Sequence, residues 1–150
     1  MIHKDKLPPA LIEFLEQRPD IDLDRFEVPP PVFMTMEGKI TDFDPGAKCI
    51  SCSFPVRPDQ LNPFGMMQGG IISAAIDNTI GPLSMLVAPP SITRKLEVKY
   101  YKAVEPAAGK IFITAKLIGQ KKRFLFFEAV AENEDKSVIF ASAEAMHWML

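Results

Sequence analysis

The sequence predicts an α+β domain in which one antiparallel β-sheet wraps a long central apolar helix, behind a helical N-terminal extension. Three observations carry this. From Gly69 to Ala88 the chain is apolar at almost every position, which a helix tolerates only when most of its circumference is covered. From Ile92 to Met149 it breaks into β-like runs whose separators are too short for helical crossovers, so neighbours pair antiparallel. Ahead of both, Leu11, Phe14 and Leu15 form an i, i+3, i+4 stripe with Glu13 and Glu16 facing water.

That stripe defines a short amphipathic helix over Pro9–Arg18, ended by Pro19. An acidic stretch around Asp20, Asp22 and Asp24 and the stiff Val28-Pro-Pro-Pro31 follow. Residues 1 to about 31 therefore read as an extension packed on the domain or on a partner subunit, with residues 1–150 forming a single domain. Val32–Phe43 and Ala47–Val56 read as strands joined by a turn at Asp44-Pro-Gly46. The Pro-rich loop Pro58–Pro63 leads into the apolar helix, which starts near Gly69 and is expected to break or kink at Gly81-Pro82. Four strands follow, at Ile92–Val104, Gly109–Ile118, Arg123–Glu132 and Val138–Met149, separated by Pro, Gly, Asn and Lys turn signals.

Composition narrows the function. With 150 residues, 47% hydrophobic and 24% charged, the chain is globular and large enough for a real core. A net charge of −2 argues against nucleic acid as the main ligand. Cys49 and Cys52 lie three apart on one strand, so they face opposite sides and suit neither chelation nor a disulfide. No second pair completes a zinc site, and no metal is expected. The N-terminus lacks the apolar core of a secretory signal, and the longest apolar run is interrupted by Asp77, Asn78 and Gly81-Pro82. Cytoplasmic residence without membrane association is the expectation.

The chemistry concentrates between Asn62 and Asp77. Asp77 stands in the middle of Ile-Ile-Ser-Ala-Ala-Ile-Asp-Asn-Thr-Ile with no ion-pair partner in its own segment. An unpaired buried carboxylate costs roughly several kcal/mol, so it has a chemical role, caps a second helical piece after a kink, or hydrogen-bonds nearby backbone. Upstream, Gly69 and Gly70 open the helix and can offer bare N–H groups to an anion or a polarised carbonyl. A carboxylate and an amide cradle are, in outline, a catalytic constellation. No serine-hydrolase elbow, Walker loop or dinucleotide fingerprint is present. Neither histidine looks suited to catalysis: His3 lies near the terminus, and His147, on the last strand beside Trp148, reads as a core or interface residue.

The run Asn62, Gly65, Gln68-Gly69-Gly70 and Asp77, the acid nine positions after the glutamine, resembles the motif of the hotdog-fold thioesterases, in particular their PaaI-like acyl-CoA branch. The resemblance covers about residues 33–150. It departs from the family at Gln68, where histidine is common; a glutamine hydrogen-bonds but cannot shuttle protons. The resemblance implies hydrolysis of acyl-CoA thioesters. Asp77 would serve as general base or nucleophile, the Gly69 N–H would hold the thioester oxygen, and Asn62 and Gln68 would orient the loop, the water or the thioester. Gly70 would let the helix begin unobstructed, and Thr93, on the third strand of the family pattern, would help hold the water. It also implies a homodimer or a dimer of dimers with sites at the subunit interface, and no cofactor beyond the coenzyme A of the substrate.

Around that site, Phe64, Met66, Met67 and Ile71 suggest an apolar or aromatic acyl group. Lys121, Lys122 and Arg123, in a turn between strands, could meet coenzyme A phosphates or simply be solvated. Gln68 also leaves open an acyl-CoA-binding protein on the same fold that does not hydrolyse. A hotdog hydratase is disfavoured, because it would need a histidine beside Asp77.

Overall fold

The long apolar segment forms one helix, α3, over Gly69–Val87, and a six-stranded sheet curls around it. A computed structural model describes all residues, 1–150. Strands β1 (Lys39–Asp44), β2 (Cys49–Pro55), β3 (Ser91–Tyr100), β4 (Lys110–Lys121), β5 (Phe124–Glu132) and β6 (Ile139–Met149) are ordered β1-β2-β4-β5-β6-β3, every pair antiparallel. This is the hotdog arrangement the sequence predicts. Ile72, Ala75, Ile76, Thr79, Ile80 and Leu83 of α3 are buried at helical spacing. Each large aliphatic among them contributes about 1.5–3 kcal/mol by leaving water. The one buried threonine, Thr79, returns its hydroxyl to the Ala75 carbonyl at 2.9 Å, so no polar atom is stranded there.

The expected break at Gly81-Pro82 does not occur: α3 runs through to Val87. Proline removes only one amide donor, and packing along the rest of the helix outweighs that loss. At 19 residues α3 is long and apolar enough to cross a bilayer by those measures alone, contrary to the reading of an interrupted run. It lies instead against the sheet, its buried residues facing β2 to β5.

The extension folds back onto the same chain. Helix α1 (Pro9–Glu16) buries Leu11 and Leu15, as its stripe requires, and Leu7 and Val28 join the same core. Arg18 grips Asp20 with two nitrogens, at 2.6 and 2.7 Å, and donates to the Leu86 carbonyl near the end of α3. That contact satisfies one of the carbonyls a helix C-terminus leaves open.

One predicted strand is half helix. Pro31–Thr35 forms α2, and β1 begins only at Lys39. Pro31 sits at the first helical position, where its fixed φ starts a turn and its missing N–H costs nothing. The helix closes with Glu37 N–H on the Met34 carbonyl and Gly38 N–H on the Phe33 carbonyl, a Schellman cap with Glu37 at φ 55°. Gly38 is required there by contact, since a Cβ would lie 2.7 Å from the Phe54 ring and 2.8 Å from the Phe33 ring.

Candidate active site

Asp77 projects from the middle of α3 toward β3, where the Thr93 hydroxyl donates to its Oδ1 at 3.0 Å. Thr93 is directly opposite His147 in the β3–β6 pairing, and the His147 Nε2 lies 3.2 Å from the Thr93 Oγ. The other ring nitrogen, Nδ1, is 3.1 Å from the Ser91 Oγ. Donors and acceptors can run one way only. A carboxylate accepts, so Thr93 donates to it and must itself accept from the Nε2–H of His147. The neutral imidazole then accepts at Nδ1 from Ser91. Four side chains therefore form one chain of hydrogen bonds ending on the Asp77 carboxylate.

His147 is 2% exposed, its ring centroid 4.8 Å from that of Phe127. Burial pushes its pKa below the ordinary histidine value, against a smaller upward pull from the Asp77 charge. The sequence reading of His147 as a core or interface residue agrees with this burial, but its place behind Thr93 was not foreseen. No local signal marks it, because residues 93 and 147 meet only through strand pairing. A register shift between Thr93 and Lys95 interrupts β3 beside the site, the kind of bulge that re-aims a side chain.

The helix N-terminus is built differently. Gln68 is the N-cap, but its side chain makes no capping bond and is exposed. Its carbonyl accepts from the Ile71 and Ile72 amides, while the Gly69 and Gly70 N–H groups have no acceptor within the chain. The Gly69 carbonyl is held by the Tyr100 hydroxyl at 2.8 Å. Upstream, Asn62 folds the loop: its Oδ1 accepts from the amides of Phe64 at 2.9 Å and Met66 at 3.1 Å. Gly65 turns the chain at φ 78°, a conformation that other residues adopt only with strain. Two free donors thus sit at the positive end of a helix dipole, an arrangement suited to a developing oxyanion.

Those donors and Asp77 do not meet within one chain. Gly69 and Asp77 are eight residues apart on a continuous helix, about 12 Å along its axis at 1.5 Å per residue. Of the apolar candidates, Phe64 is 85% exposed, whereas Met67 is buried in the core with its amide on the Val104 carbonyl. Lys121, Lys122 and Arg123 are exposed on the β4–β5 hairpin. The Arg123 guanidinium lies 5.9 Å from the Trp148 ring and that of Arg94, not singled out by sequence, 5.8 Å from it. Cys49 and Cys52 are both free thiols, and burial pushes Cys52 up to about 12, so it stays protonated.

The fold and this arrangement define a hotdog protein with a helix-borne carboxylate. No protein-family model matches the chain. Among solved structures it is similar to a candidate thioesterase from Ralstonia eutropha JMP134, a phenylacetic acid degradation-related protein, at 22% identity and a TM-score of 0.74, over 83% of this chain and 95% of that one. The E. coli PaaI protein from the phenylacetic acid degradation operon matches at 12% identity and a TM-score of 0.74, over 82% and 86% of the two chains. A Streptococcus mutans protein, solved bound to acetyl CoA, matches at 18% identity and a TM-score of 0.68, over 75% and 88%. At these identities the likeness establishes the fold.

Proposed function

We propose that the protein is an acyl-CoA thioesterase of the PaaI-like kind, with Asp77 as its reacting carboxylate. The observation that carries the reading is Asp77 itself: an acid in the middle of the core helix, without an ion-pair partner, oriented by a donated hydrogen bond from Thr93. A carboxylate held in this way is free to accept a proton from water. It would take that proton as the water attacks the thioester carbon, and return it to the departing CoA thiolate. Alternatively the carboxylate attacks the thioester carbon and expels the CoA thiolate, and water then hydrolyses the mixed anhydride, restoring the carboxylate. His147 and Ser91 act as positioning residues, keeping the Thr93 hydroxyl turned toward Asp77.

The thioester oxygen would rest on the Gly69 N–H, with Gly70 leaving the approach clear. Because that amide and Asp77 are about 12 Å apart on one helix, both can serve one substrate only if the cradle comes from a second copy. We therefore read the active unit as a homodimer, or a dimer of dimers, with Asn62 shaping the loop that carries the cradle. Gln68 and Phe64, exposed on that loop, would border the thioester. Met67 would support the loop from the core. Lys121, Lys122 and Arg123, together with Arg94, offer cations for the coenzyme A phosphates.

Thiol release from acyl-CoAs by wild type and Asp77→Asn tests this. Wild type should turn over, and the variant should lose about a hundred- to ten-thousandfold, the usual weight of a general base. Turnover that survives the substitution overturns the role of Asp77. A second reading, an acyl-CoA-binding protein without hydrolysis, draws on Gln68, whose exposed amide cannot titrate. Saturable binding of acyl-CoA with no thiol release from any chain length would establish it.

A further inference from the structure

A cavity of about 320 Å³ lies between the N-terminal extension and α3. Leu11, Leu15, Phe26 and Phe33 form its outer wall, and Gly81 and Met85 line the helix side. Asp77 and Asn78 supply its polar side chains from α3. The Asn78 amide is already spent on the Ala74 carbonyl at 2.9 Å and the Met36 sulfur at 3.5 Å, leaving Asp77 as the reactive polar group. Glu27, the other charged residue lining the cavity, is engaged by His3 at 3.2 Å. Three larger depressions, of about 710, 750 and 490 Å³, do not include Asp77, and each is bordered by several charged side chains.

Gly81 gives the cavity its meaning. It follows Asp77 by one helical turn and so shares its face. A Cβ built there meets nothing within 4 Å. Glycine inside a helix is less stable than alanine by about 0.5–1 kcal/mol, and here no packing partner requires it. The helix is less stable than it could be, at a position where the retained space lines the cavity beside the carboxylate.

We propose that this cavity is the acyl pocket: the N-terminal extension and α3 together hold an apolar, medium-sized acyl group, with its thioester end at Asp77. The pocket rests on the thioesterase reading for the identity of its ligand. Its volume is at the lower end of small-molecule sites, so it admits the acyl group and not the pantetheine arm. Its lining rejects an anionic acyl terminus, because the charged residues inside, Asp77 and Glu27, are themselves acidic. The extension thereby sets acyl length, and Gly81 is the residue that keeps the pocket open.

Non-hydrolysable thioethers separate this proposal from the reaction. Dissociation constants for S-octyl-CoA and S-ethyl-CoA are measured calorimetrically on full-length wild type and Gly81→Leu. Wild type should bind the octyl compound at least tenfold more tightly, since each buried methylene strengthens binding about fourfold. Gly81→Leu should erase most of that preference while leaving the ethyl compound unchanged. Met85→Phe, which narrows the same wall, gives the same reading should Gly81→Leu fail to fold. A preference absent in wild type, or equal in wild type and variant, overturns the pocket. The expected pattern together with no thiol release from octanoyl-CoA keeps the pocket and overturns the hydrolase.

Discussion

The face of α3 that meets the sheet and the face that meets the N-terminal extension are made of different material. On the sheet side Ile72, Ile76, Ile80 and Leu83 are buried, and every polar group among them is satisfied within the helix. On the other side stand Asn78, Gly81 and Pro82, with Asp77 at the border where it meets Thr93 of β3, residues that a helix interior ordinarily disfavours for reasons of charge, side-chain competition, entropy or a missing donor. One face stabilises the fold, and its stability is what allows the other to carry groups that a helix interior disfavours.

Ile76→Ala tests the stabilising face and has the largest expected effect. Ile76 is fully buried, and its truncation should lower unfolding free energy by about 2–5 kcal/mol, read from urea denaturation, out of a typical total of about 5–15 kcal/mol. The remaining folded protein should keep its turnover per molecule. A stable variant with lost activity would merge the two faces that the comparison separates.

Thr93→Ala should show the reverse pattern. It removes one hydrogen bond to a charged group, worth about 1.5–3 kcal/mol, so thiol release should fall roughly ten- to a hundredfold. The melting temperature should move little, because the Thr93 side chain is largely exposed. An unchanged rate would remove Thr93 from the machinery.

His147→Gln sharpens the comparison most finely. Burial lowers the folded pKa of His147 below its unfolded value near 6.5. The unfolded chain therefore binds more protons in the interval between the two values. The stabilising effect of the neutral ring is present above about pH 6.5 and is lost as pH falls through the folded pKa. Melting temperature followed from pH 7.5 to 5 should drop more in wild type than in the glutamine variant, whose amide can still donate to Thr93. Acyl-CoA turnover should lose its acid limb along with it. Parallel curves in the two proteins would show that His147 does not titrate in this range.

How far the sequence reached depends on how local each feature is. The four C-terminal strands, the start of α3 and the helix of the extension were legible because periodicity and turn chemistry are written within a few residues of each element. Asp77 was legible because a lone acid in an apolar helix contradicts its surroundings. Residues 32–35 were misread as strand because Val, Phe and Thr favour β structure locally. What overrode them was proline at the helix start, the cap at Glu37 and Gly38, and burial of Phe33 against Phe54, with ring centroids 5.4 Å apart. The continuity of α3 through Pro82 likewise came from burial along its length, which no proline rule contains.

The sequence by itself determined the class of fold, the carboxylate and the pair of glycines that open the central helix, because each follows from composition and spacing along a single segment. The tertiary structure alone decided that His147 stands behind Thr93, that the central helix runs unbroken past Asp77 to Val87, and that the extension closes over a cavity beside that acid. The reason is strand register and helix length. Residues 93 and 147 become neighbours only when β3 pairs with β6, and residues 69 and 77 stay apart only because the helix between them is unbroken.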